Sequence, residues 1–195
     1  MLKRAIIALS LTASVAGAQS ADTVASSHGY WVRFGTGAAT SILIHEAGHI
    51  VAAISTGARP TFGFDKARPT VYSGINSQRY PRRQFWFSSA GLNIQSLLDE
   101  AILDIPHNRG SAFERGVLGG GIGTTVFYLT LGRTGSVSDV DFMSHTGIMT
   151  KTQVTLLYGS VALLHSWRIA HDPAYDNFFA RPSAHGLDVG VSRSF

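Results

Sequence analysis

The stretch "LIHEAGHIVAA", residues 43–53, places His45, Glu46 and His49 inside an otherwise apolar run. Such a run buries itself, and buried histidine and glutamate are costly unless something compensates them. In a helix, positions i and i+4 share one face, so His45 and His49 project to the same side one turn apart. Two imidazoles so placed can share one zinc ion, and Glu46 stands where it can take a proton from water. A metal therefore accounts for polar groups in an apolar helix. With 8 His and 3 Glu in 195 residues, a shuffled chain shows HExxH only about 0.005 times.

The surrounding segment, 37–57, is one of four apolar stretches; the others are 85–105, 116–132 and 152–170. Each approaches the roughly 17–25 residues of a spanning helix. Only 14% of residues are charged and mean hydropathy is +0.13, against about 25% charged in an average soluble domain. The third stretch carries glycines at 116, 119, 120, 121 and 123. That density weakens a helix in water but permits close helix approach in a bilayer. The sequence thus predicts a mainly α fold: a helical membrane bundle of about four apolar helices in a single domain, 19–195, with a tail over 171–195. A compact exported protein with four buried helices is the alternative.

Ahead of the bundle, "MLKR", the apolar run to Gly17 and Ala16-Gly17-Ala18 form an export signal over 1–18. The loop 58–84 holds Arg59, Lys66, Arg68, Arg79, Arg82 and Arg83 against Asp65, and basic loops stay cytoplasmic. Both signals place the chain in the cell envelope, in the inner membrane, with that loop inside and the tail outside. Within the loop, "RPTFGFD" and "PTVYSGI" are β-rich runs expected to form a small hairpin. The closing "GLDVGVSRSF" alternates like a barrel strand, but one strand makes no barrel. Trp31, Trp86 and Trp167 fall near segment ends, as in interfacial belts. A net charge of +4 is too mild and scattered for nucleic acid, and the absence of cysteine leaves His, Asp and Glu as the metal ligands.

An apolar helix carrying "HEAGH", then Gly57, a β-rich stretch with "FGF" and "SSAGLNIQ" opening another apolar helix resembles the site-2 protease family of intramembrane zinc proteases. Ala90, Gly91 and Asn93 match the family's later AG-x-x-x-N type segment loosely, and the likeness covers residues 37–105. It implies a zinc metallopeptidase acting on a peptide or membrane-protein substrate. The family's third ligand is an aspartate in an "LDG" motif, which this chain lacks.

The third ligand must then come from elsewhere. On the second stretch, Ser89, Asn93, Ser96, Glu100 and Asp104 form one polar stripe, and such a stripe faces the bundle interior. Glu100 also lies within about 5 Å of the depth of His45. The expected metal set is therefore His45, His49 and Glu100, with Glu46 as general base. Asp99, on the stripe of Gln84, Ser88 and Gln95, remains an alternative, as do Asp139 and Asp141 in "SVSDVDF", which also suit a helix N-cap. Asn93 and Gln95 read as interhelical amides, His165 as interfacial, and His107, His145, His171 and His185 as solvated. The competing functional reading is a non-catalytic membrane or exported helical protein with a structural or vestigial metal site.

Overall fold

The computed structural model describes residues 27–65, 68–134, 138–175, 178–183 and 186–191. The export signal, Lys66 and His185 lie outside them. Four long helices carry the apolar stretches: α1 (Ser27–Ser55), α2 (Pro81–Asp104), α3 (Ala112–Leu129) and, after a short helix α4 (Asp139–His145), α5 (Lys151–Ala170). The fold is mainly helical, as expected. Between α1 and α2 the expected hairpin forms from β1 (Thr61–Asp65) and β2 (Arg68–Tyr72), antiparallel with Phe62 opposite Val71. The tail forms a second hairpin, β3 (Phe178–Ser183) with β4 (Gly186–Val191), so the closing strand pairs locally.

Three apolar clusters stack along the bundle. Ala53, Val71 and Phe87 join the hairpin to the end of α1 and the start of α2. Leu92, Tyr128, Val140, Met143, Val154 and Tyr158 tie α2, α3, α4 and α5 together at mid-height. Leu103, Leu118, Ile122, Ile169 and Tyr175 close the far end.

Small residues bring α1 against its neighbours. A Cβ on Gly116 would lie 2.0 Å from the Phe34 carbonyl oxygen, and one on Gly37 2.0 Å from that of Phe113. On the other side, a Cβ on Gly48 would meet the Ala90 carbonyl oxygen at 2.7 Å. Gly116 and Gly120 of α3 thus serve close approach to α1, whereas Gly123 faces open space.

Among the described residues, only α1 is long and apolar enough to cross a membrane, over Gly29–Ser55. The outer surface is nonetheless apolar. Leu43, Val51 and Ile54 on α1, Leu97 on α2, and Leu156, Leu163 and Trp167 on α5 are each 55–67% exposed.

Candidate metal centre

The glutamate-flanked histidines sit on the buried face of α1. His45, Glu46 and His49 are all buried. Gly91 of α2 makes room for both rings, since a Cβ there would lie 2.5 Å from His45 Nε2 and 2.6 Å from His49 Nε2. Tyr128 stacks on His45 at 5.4 Å between ring centroids, and Phe87 flanks His49 at 4.9 Å.

The carboxylate that the fold brings to this pair is Asp139. Its Oδ2 lies 3.0 Å from His45 Nε2 and 3.3 Å from His49 Nε2, and the two Nε2 atoms are 3.1 Å apart. Ser138 caps α4 by accepting from the Asp141 amide, a contact of about 1 kcal/mol. Val140 and Met143 anchor that helix in the mid-height cluster. Asp139, the first residue of α4, is thereby held rigidly over the histidines.

Glu100, the expected third ligand, points elsewhere. It accepts from His165 Nε2 at 2.8 Å and from Arg168, while Arg168 also holds Asp104. The reason lies in which face of α2 is buried. Gln84, Ser88, Gln95 and Asp99 are inside, whereas Glu100 is partly exposed and Asp104 exposed. Asn93, Glu100 and Asp104 of the polar stripe meet Tyr158, His165 and Arg168 of α5 instead. Asp99 lies 3.4 Å from His165 Nδ1, so His165 is a buried partner of two carboxylates rather than an interfacial residue. Asp141 pairs with Lys151 and His145. His107, expected in solvent, stands 3.3 Å from buried Glu114, and Asn93 accepts from the Tyr158 hydroxyl at 2.8 Å.

The tautomers follow from acceptors that cannot donate. His49 Nδ1 lies 2.7 Å from the Phe87 carbonyl oxygen, so Nδ1 carries the hydrogen. Gln95 Nε2 donates to the Ser41 carbonyl at 3.1 Å and to its hydroxyl at 3.0 Å. Its Oε1 therefore faces His45 Nδ1 at 2.9 Å and accepts from it. With both rings neutral, each Nε2 presents a lone pair to the other and to a carboxylate oxygen. Three electron-rich atoms so close in a dry site require a cation among them, either a proton on one imidazole or a metal ion. Burial works to raise the Asp139 carboxyl, yet the positive charge shared by His49 and His45 overcomes it and holds the group well below the usual carboxylate range.

The triangle also fits a metal. Zinc at about 2.0–2.1 Å from N and O ligands gives tetrahedral edges of about 3.3 Å, close to the observed 3.0–3.3 Å. His45, His49 and Asp139 could therefore hold one ion. Glu46 is not one of the three; its Oε2 accepts from the Val71 amide of β2 at 3.0 Å.

Gln95 is the outer partner that sequence periodicity left as an interhelical amide. Gln95→Leu keeps the volume and removes the acceptor that orients His45. Chelator-competition titrations should show zinc affinity falling about 10–100-fold, as for other outer partners of metal-bound histidines. Unchanged affinity would mean that ring packing alone orients His45.

No family model matches the chain, and no curated protein or solved structure matches it.

Proposed function

We propose that the protein is a zinc-dependent metallopeptidase embedded in a membrane, with His45, His49 and Asp139 as ligands and Glu46 as general base. The observation that carries this reading is the convergence of two lone-pair nitrogens and a buried carboxylate oxygen beside a glutamate that is not needed as a ligand. Zinc bound there would supply a Lewis acid that polarises a peptide carbonyl and makes water acidic. Glu46 then accepts the water proton and passes it to the leaving amine. Its second-ligand neighbours, Gln95 and the Phe87 carbonyl, hold the imidazoles with Nε2 inward throughout. The resemblance to site-2 proteases supports the same assignment.

Membrane placement draws on the outward-facing leucines, valines and isoleucines. A soluble monomer rarely exposes apolar patches larger than a few hundred Å², whereas lipid-facing helices require them. Trp31 and Trp167 lie at the end of the bundle opposite the hairpin and Trp86 at the hairpin end, all exposed, which suits two interfacial girdles. By this reading all four long helices are embedded, the inner membrane is the site, and the substrate is a peptide or membrane protein. His49 is six residues from Ser55, so the centre lies about 9 Å inside the hairpin end of α1.

The test is metal content. Full-length protein extracted from membranes should carry about one zinc per chain, measured by mass spectrometry of the metal, and the double variant His45→Ala, His49→Ala should carry none. Stoichiometric zinc in that variant would exclude this centre.

A further inference from the structure

At the hairpin end of the bundle an open cavity of about 290 Å³ is lined by Thr56, Gly57, Asn76, Arg79, Tyr80 and Arg83, among others. We propose that it binds the phosphate of an anionic phospholipid headgroup. The two guanidinium groups supply the charge. Arg79 lies 5.4 Å and Arg83 5.0 Å from the centre of the same Tyr80 ring, so one aromatic platform holds both cations at one cavity. No acidic residue lines that cavity. Among the described residues neither arginine forms an ion pair, although Arg109, Lys151 and Arg168 all do. Two like charges kept together with no carboxylate between them call for an anion, and the planar guanidinium fork matches phosphate oxygens.

Position selects the source of that anion. Thr56, Gly57 and Ala58 line the cavity and directly follow Ser55, where the helix long enough to span a bilayer ends. Tyr80, which lines it, and Trp86, in the second turn of α2, are exposed, and Tyr and Trp side chains settle at headgroup depth. In sequence, residues 58–84 also carry Arg59, Lys66, Arg68 and Arg82 against Asp65 alone, the charge pattern that anionic leaflets attract. This inference rests on the membrane placement of α1 and is independent of the metal centre.

The full-length protein in a neutral detergent is titrated calorimetrically with short-chain phosphatidylglycerol, short-chain phosphatidylcholine and inorganic phosphate. Phosphatidylglycerol should bind at least tenfold more tightly than either of the others. Two arginines beside an anionic lipid account together for about a 30-fold change, so the double variant R79Q/R83Q should weaken phosphatidylglycerol by about that factor. Arg83→Gln alone should weaken it about fivefold, and Arg82→Gln, exposed but outside the cavity lining, less than threefold. The metal-free His45→Ala, His49→Ala protein should bind the lipid as wild type does. Equal binding of the two lipids, inorganic phosphate as tight as phosphatidylglycerol, or unchanged binding in R79Q/R83Q would each overturn the proposal. Failure of the metal reading appears in zinc content, and failure of membrane placement as a chain that alkaline carbonate extracts from membranes.

Discussion

Glu46→Gln retains zinc and fold and loses peptide hydrolysis by about 10²–10⁴-fold, the usual contribution of a general base. The substitution keeps size and hydrogen-bonding capacity while removing the group that accepts the proton. Glu46 is not one of the three converging ligands; its Oε2 accepts from the Val71 amide instead. Zinc content should therefore stay at the wild-type level. The measurement pairs metal analysis with cleavage of a peptide library in detergent. A variant that cuts as fast as wild type removes Glu46 from the chemistry. A wild type that cuts nothing, with zinc bound and Glu46→Gln indistinguishable from it, favours a structural metal site instead.

Asp139→Asn should weaken zinc binding by more than about 100-fold, because losing a ligand costs more than losing an outer partner, which costs about 10–100-fold. Glu100→Gln should leave affinity within a few-fold of wild type, since Glu100 is engaged by His165 and Arg168. Equilibrium titration with a competing chelator separates the two. If Glu100→Gln loses the metal and Asp139→Asn keeps it, the triangle of His45, His49 and Asp139 is not the ligand set. The pH dependence follows from the same geometry. Zinc requires neutral imidazoles, so protons compete with the metal for both Nε2 atoms and occupancy falls as pH is lowered. Metal held equally tightly at neutral and acid pH would exclude histidine ligation.

Much of this centre was legible from local sequence. His45 and His49 are bound to one face by helical spacing alone, and the hairpin follows from β-rich runs bracketing "KAR". Sequence alone favours Glu100 as the third carboxylate, with Asp139 only one of three alternatives, for two reasons. Along α2, two polar stripes satisfy the same periodicity, and only the packing of α1 through Gly48 and Gly91 decides that Gln95 and Asp99 face inward rather than Glu100. Asp139 lies some 90 residues beyond the histidines in a helix of 7 residues, too short for any hydrophobic period to register. A signal did exist there. Ser138 followed three residues later by Asp141, with Val140 and Met143 between and after, has the form of a capped helix start whose apolar side must be buried. Such a start turns its first residue towards the core.

The hydrogen bond from the Val71 amide to Glu46 gives the candidate metal centre a built-in spectroscopic probe. That amide belongs to a strand edge, and its exchange with deuterated solvent depends on whether the carboxylate is ionised, neutral or turned away. In wild type its proton should exchange slowly and resonate far downfield, because a charged acceptor shortens and strengthens the bond. In Glu46→Gln it should move upfield and exchange faster, with neighbouring Thr70 far less altered. A single resolved backbone resonance thus reads the charge state of the Glu46 carboxylate, without a substrate and before any turnover is observed.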